Sequence, residues 1–153
     1  MSTRVAAVRI DVLNGANLNA IGDRDPELYG VLGIAELETQ IYAWGRELGC
    51  AVRCLQTNSE GQFIDWCHDA RRSADGVIVN PGAWTHYSSA IRDALELFTV
   101  PVVEVHLSDI EKREEWRRVS VIADVVTERV IGKGPDGYHE ALVFLTHKQG
   151  GES

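Results

Sequence analysis

Two short spacings in this chain carry chemical content. Glu104 and His106 stand two residues apart in the apolar run Val102-Val103-Glu104-Val105-His106, so on a regular strand their side chains leave the same face. A carboxylate beside an imidazole fixes its tautomer and raises its basicity, which is what a general acid or base requires. A lone histidine at a strand end is more often structural, but this one has Glu104 beside it, and a second, His86, follows Asn80-Pro81-Gly82-Ala83-Trp84-Thr85. Arg113 and Arg117 are spaced i,i+4, which on one helix puts two guanidinium groups on one face, able to hold a single anion or nucleophile. The competing reading is a solvated basic stripe paired with Glu114. Leu107-Ser108 falls where that helix should begin, so backbone N–H groups and the hydroxyl can bind a carboxylate, or Ser108 simply caps the helix.

These side chains need a scaffold, and the hydrophobic pattern supplies one. Val- and Ile-rich runs alternate with helical periodicity, predicting strands near 5–13, 51–57, 76–80, 101–106 and 124–131 and helices near 34–48, 60–73, 86–97, 110–118 and 136–147. The near-continuous apolar runs Gly76-Val77-Ile78-Val79 and Val100-Pro101-Val102-Val103 suit central strands covered on both faces. Right-handed crossovers then give a flavodoxin-like α/β sandwich, with a five-stranded parallel sheet in the order 2-1-3-4-5. Ligands of such sheets bind beyond the carboxyl ends of the strands, where Asn14, Asn17, Asn80, His86 and His106 fall.

The first strand does not turn straight into a helix. It enters a connection of about twenty residues (14–33), a length expected of a linker or an active-site lid. Linkers are poor in apolar side chains, whereas Leu18, Ile21, Leu28 and Tyr29 can anchor this one when it closes. A lid over about 19–30 is therefore expected, delivering Arg24 and Tyr29, with Gly22, Gly30 and Gly33 as hinges. Residues 1–148 are expected to form one domain, followed by a flexible tail at 149–153.

Composition narrows the partners. A net charge of −8 disfavours nucleic acid and anionic membranes, which demand a basic face, but leaves small anions wherever arginines converge. No apolar run approaches the ~20 residues of a membrane span, and the N-terminus lacks the apolar core of a secretory signal, so a cytoplasmic location is expected. The cysteines at 50, 54 and 67 form no CxxC pair and read as core thiols. His86 and His106 lack a third ligand at a metal-site spacing, and the glycine-rich nucleotide motifs are missing, so neither a metal nor a cofactor is expected. Only Lys112, Lys133 and Lys148 are lysines, none at an expected strand end, which leaves Schiff-base chemistry without an amine.

Taken in order, a series of blocks resembles the type II 3-dehydroquinate dehydratases over nearly the whole chain. Asn14-Gly15-Ala16-Asn17-Leu18 is similar to their NGPNL motif, and residues 22–30 to their lid motif G-x-R-E-P-x-x-Y-G. Gln56-Thr57-Asn58-Ser59-Glu60-Gly61 resembles QSNHEG, and residues 80–86 with Ala90-Ile91-Arg92-Asp93-Ala94 resemble NPGAYTH followed by AIRDA. Residues 101–108 and Arg113-Glu114-Glu115-Trp116-Arg117 are similar to PVVEVHLS and REEFR. Ala16, Asp25, Ser59 and Asp109 depart from the usual residues, and Trp84 and Tyr87 are bulkier than typical beside His86, which bears on the shape of the pocket.

The resemblance implies dehydration of 3-dehydroquinate to 3-dehydroshikimate through an enolate. It assigns Tyr29 as base, with Arg24 and Arg113 supporting its ionisation, His106 as general acid oriented by Glu104, and Asn17 as the donor facing the developing charge. Asn80, His86 and Arg117 would hold the ring hydroxyls, and Leu107 and Ser108 the carboxylate of a small anionic substrate. Asp93 would reach the site of a neighbouring subunit in a homo-oligomer, a dodecamer built of trimers. Two other readings stay open: a paralogous lyase acting on a related hydroxylated cyclic keto acid, and a catalytically silent flavodoxin-like binding module.

Overall fold

The computed structural model describes residues 7–25, 27 and 32–149. Five parallel strands, β1 (Val8–Asn14), β2 (Cys50–Gln56), β3 (Gly76–Asn80), β4 (Val102–His106) and β5 (Glu128–Ile131), form one sheet in the order β2-β1-β3-β4-β5. Among the described residues four α-helices alternate with them: α1 (Ile34–Glu47), α2 (Glu60–Ser73), α3 (Ser89–Glu96) and α4 (Asp136–Gln149). The expected flavodoxin-like order is the one found.

Side-chain alternation along the strands divides the core between the two faces of the sheet. Ile10, Val12, Ile78, Val103, Val105 and Val130 pack on one face against Leu37 and Ile41 of α1 and Tyr138, Leu142 and Leu145 of α4. On the other, Leu13, Val77, Val79 and Val102 meet Phe63 and Cys67 of α2 and Ile91 and Leu95 of α3. Polar caps fix where two helices begin. Ser59 accepts from the Gln62 N–H at the head of α2, and Ser88 from the Ile91 N–H at the head of α3. Burial pushes the Cys54 and Cys67 thiols up to about 12, in keeping with core thiols.

The structure corrects three of the expected elements. The helix expected over 110–118 is instead two 3-10 turns, Ile110–Lys112 and Glu115–Arg118, separated by extended backbone at Arg113 and Glu114. Of those two turns only Ile110 is buried, so a continuous helix would have no apolar stripe to dock. Its cap is Asp109, whose carboxylate accepts the Glu111 N–H at 3.1 Å, and not Ser108. The helix expected from 86 begins at Ser89, because Gly82–His86 coils as a 3-10 turn first. β5 starts at Glu128 rather than 124, since Ala123–Val125 is again a 3-10 turn.

The long connection after β1 is not structureless along its first part. Leu18–Asp23 forms a 3-10 turn whose Leu18 and Ile21 are buried in the α1 side of the core, as the anchor reading requires. A Cβ on Gly22 would lie 3.4 Å from the Gly33 Cα, so these two glycines mark a narrow neck where the ends of the segment meet. Tyr29, Leu28 and Gly30 lie outside the described residues, as do 150–153 of the expected tail.

Candidate active site

The carboxyl ends of β1 and β3 are locked together before either contributes a side chain. The Gly15 N–H donates to the Asn80 carbonyl at 2.7 Å, and a Cβ on Gly15 would fall 2.6 Å from the Pro81 oxygen. Gly82 has φ +66°, and a Cβ there would sit 2.5 Å from the Ala16 oxygen, so only glycine fits. Asn17 takes φ 69°, the one positive φ outside glycine among the described residues. Asparagine tolerates this conformation best of the larger residues, and the Asn17 N–H is held by Asn58 Oδ1 at 2.8 Å. Strain is thus accepted where it aims the Asn17 side chain into the pocket.

Below these loops lies a buried polar relay. Tyr138 of α4, fully buried, donates its hydroxyl to Asn14 Oδ1 at 2.6 Å and accepts from Asn80 Nδ2 at 3.0 Å. The Asn80 Oδ1 accepts the Gly82 N–H at 3.2 Å. Burial holds the Tyr138 phenol above its ordinary pKa, so it stays a neutral donor. Asn80 therefore does more scaffolding than its reading as a hydroxyl contact implies, although it also lines the pocket.

Glu104 and His106 meet as the strand spacing predicts. His106 Nε2 lies 2.6 Å from Glu104 Oε2, the same oxygen accepts from the Thr85 hydroxyl at 2.7 Å, and Arg129 Nε donates to Oε1 at 2.8 Å. Glu104 is wholly buried. Burial by itself would raise its pKa, but the hydrogen bonds and charges of His106 and Arg129 outweigh it and hold the carboxyl at about 2. An ionised Glu104 can only accept, so Nε2 of His106 carries a proton and Nδ1 is the nitrogen left for a ligand.

His86 is oriented from the other side. Its Nδ1 donates to the Val119 carbonyl at 2.6 Å, and burial, the largest influence on it, lowers its pKa. Trp116 packs edge-on to the His86 ring, centroids 5.4 Å apart, and the Arg117 guanidinium lies 4.1 Å above the Trp116 ring.

These elements enclose a polar pocket. Asn17, Leu18, Arg24, Asn80, His86, His106, Leu107, Ser108, Arg113 and Arg117 line it, and its described wall carries three arginines and no carboxylate. That local excess of cation sits in a chain of net charge −8. Arg113 and Arg117 converge although no helix carries them; each pairs with Glu114, at 3.7 Å and 3.2 Å, and Arg113 Nη1 reaches the Ser108 hydroxyl at 3.4 Å. The basic-stripe reading and the anion-site reading thus both describe part of what is seen.

Other expectations fall elsewhere. Glu104 backs His106 without lining the pocket, and Asp93 is exposed on α3, away from it. Tyr29, the expected base, lies outside the described residues. Trp84 is buried against Phe63, and Tyr87 is largely exposed; neither lines the pocket, so the bulk of these two does not shape it. All three lysines are away from it as well, and Lys133, which does follow a strand end, is bound to Glu140 at 2.6 Å. Sequence reasoning missed Thr85, Asn58, Trp116, Arg129 and Tyr138. Asn58, Thr85 and Trp116 lie inside the quoted blocks and could have been questioned there; Arg129 becomes visible only once strand register is known, and Tyr138 only once α4 is docked.

An imidazole backed by a buried carboxylate, facing three guanidinium groups across a cleft at the carboxyl rim of a parallel sheet, defines an acid–base site for a small anion. The family follows from comparison with known proteins. Residues 8–146 match the model of the family described as "Dehydroquinase class II", and the chain belongs to that family. It is 44% identical over 142 residues to the 3-dehydroquinate dehydratase of Bacillus subtilis, covering 93% of this chain and 96% of that one. The Thermotoga maritima 3-dehydroquinate dehydratase is 47% identical over 141 residues, covering 92% and 96%. Among solved structures, the type II dehydroquinase from Propionibacterium acnes superposes with a TM-score of 0.89 at 41% identity, over 93% of this chain and 99% of that one.

Proposed function

We propose that this chain dehydrates 3-dehydroquinate to 3-dehydroshikimate by proton abstraction α to the ketone, an enolate intermediate and expulsion of the C1 hydroxyl. The observation that carries this reading is the Glu104-backed His106 in a pocket whose described charged wall is arginine, in a chain of the class II dehydroquinase family.

Tyr29 is the base. A phenol with a reference pKa near 10 is ionised to about one part in a thousand at pH 7, and lowering it by ~2 units takes ~2.7 kcal/mol of preference for the phenolate. A guanidinium at ~4 Å offers about 4 kcal/mol at an effective dielectric near 20. Arg24, five residues earlier and at the pocket wall, and Arg113 are the cations suited to that task. Asn17 donates to the oxygen on which the enolate charge develops, directly or through water. Imidazolium His106 then gives its Nδ1 proton to the departing hydroxyl, and Glu104 stabilises the charged ring before transfer. No lysine reaches the wall, which favours the enolate over a Schiff base.

Arg117, His86 and Asn80 hold the ring hydroxyls, and Leu107 with Ser108 the carboxylate. Asp93, exposed on α3, completes the site of a neighbouring copy in trimers that assemble as a dodecamer in the cytoplasm. Absorbance of the conjugated enone, followed with purified protein and 3-dehydroquinate, tests the reading. Folded protein is expected to form the enone at a rate proportional to its concentration; folded protein that forms none rejects the activity.

A further inference from the structure

Glu104 is shared between a permanent cation, Arg129, and a group that can become one, His106, and of the two only His106 faces the pocket. Its register partner across the β4–β5 pairing is Arg129, so the two side chains leave the same face of the sheet side by side. Arg129 Nε takes Oε1 at 2.8 Å, while Oε2 is left to His106 and Thr85. The Arg129 side chain is a quarter exposed, its buried Nη2 has no hydrogen-bond partner among the described residues, and the wholly buried Glu104 is the carboxylate it pairs with through Nε.

We propose that Arg129 is a positioning residue for His106: by occupying and neutralising one side of Glu104 it fixes the carboxylate that aims the imidazole, and it makes the imidazolium give up its proton more readily. The inference rests on the acid role given to His106 above, and it adds a residue of the neighbouring strand β5 that does not line the pocket.

A wholly buried carboxylate must be compensated by a nearby cation. Without Arg129 the group left in contact among the described residues that can become cationic is His106, and the imidazolium would be held too tightly to release its proton. With Arg129 in place Glu104 still orients the ring, but much of its charge is already answered. The other charged or titratable groups around His106 are His86 after β3, Arg24 in the connection after β1, and Arg113 and Arg117 in the connection after β4. None of these wall groups is an anion, and Glu114 is taken up by Arg113 and Arg117, whereas Glu104 is the carboxylate in hydrogen-bond contact with His106; Arg129 is the group that moderates it.

The test uses Arg129→Met, which removes charge and donor while keeping an apolar stem, and Arg129→Lys, which restores the charge. Ring NMR of His106, assigned with His106→Asn, reads its titration without reference to turnover, and kcat is followed against pH. Because the imidazolium is the acid, activity falls as pH rises through the pKa of His106. In Arg129→Met that high-pH limb and the NMR titration are expected to move up by about one unit, with the plateau kcat reduced roughly threefold. Arg129→Lys is expected to return both toward wild type. Loss of activity in Arg129→Met with neither titration moved would show a structural role only and overturn the proposal, as would a titration that Arg129→Lys fails to restore. A shifted NMR titration in protein that forms no enone would support the charge relation and reject the activity instead.

Discussion

His86 Nδ1 lies 2.6 Å from the carbonyl oxygen of Val119, and that contact decides which ring nitrogen faces the pocket. A carbonyl only accepts, so Nδ1 carries the proton and Nε2 presents a lone pair to a substrate hydroxyl. Burial lowers the pKa of the ring. The unfolded histidine therefore binds a proton first as pH falls below about 6.5, and stability is lost on the acid side as pH descends through the lowered value. Nitrogen-15 ring shifts at neutral pH are expected to report a neutral Nδ1–H tautomer for His86, and an Nε2–H tautomer would contradict its orientation.

The Glu104 carboxyl, held at about 2, links the site to acid stability. A depressed carboxyl pKa contributes stability that is present above the unfolded value near 4.3 and lost as pH falls through about 2. For this shift that is about 3 kcal/mol. Glu104→Gln is expected to lack this acid-side slope in denaturant titrations at a series of pH values. Its kcat at neutral pH should fall by about a hundredfold or more, since the amide cannot stabilise the imidazolium. Equal acid slopes in the two proteins would mean that the carboxylate is not the linked group.

Trp116 bridges Arg117 and His86 by a cation–π contact and an edge-on ring contact. Being half exposed, it should contribute about 0.5–1 kcal/mol through the stacked guanidinium. Trp116→Ala is expected to raise KM about two- to fivefold with kcat little changed, whereas Arg117→Ala should raise KM by tenfold or more. Steady-state kinetics separates the two, and an unchanged KM in Arg117→Ala would remove that residue from substrate binding.

Gly82 is the tightest point between the β1 and β3 loops. At φ +66°, with a Cβ position 2.5 Å from the Ala16 oxygen, an alanine has to push the backbone next to Asn17. Gly82→Ala is expected to lower unfolding free energy by about 2 kcal/mol or more in urea titrations. It should also cut kcat through the displaced Asn17 side chain. Wild-type stability in this variant would show that the loops are looser than their contacts imply.

For Tyr29, the expectation comes from its place five residues after Arg24 in a lid that resembles that of the family. Tyr29→Phe should lower turnover by two orders of magnitude or more while KM changes little. A purified variant keeping more than about a tenth of wild-type turnover would take the base role away from this residue.

Much of this architecture is legible in the residues alone because it follows from local periodicity. The apolar runs of β3 and β4 announce central strands, and the i,i+2 spacing of Glu104 and His106 brings them to one face without any knowledge of the fold. Arg113 and Arg117 show the opposite case. Their i,i+4 spacing suggests a helix, but the segment has no apolar face to bury, and they meet at the pocket through extended backbone and a shared Glu114 instead. Arg129 was invisible for a different reason: its partner is set by the register of β5 on β4, and parallel register is determined by crossovers and packing, not by any pattern within the strand itself.

The hydroxyl of Tyr138 touches Asn14 from 124 residues away along the chain, and through Asn80 it also holds the tip of β3. Two of the strand ends that carry the pocket's loops are therefore held by α4. A ribosome delivers β1, the Asn17 loop, His86 and His106 well before that helix emerges, so a nascent chain carries the reactive groups without the relay that seats two of the loops bearing them. Assembly of the site is thereby tied to completion of the domain, and a chain truncated ahead of α4 is expected to be inert instead of partly active.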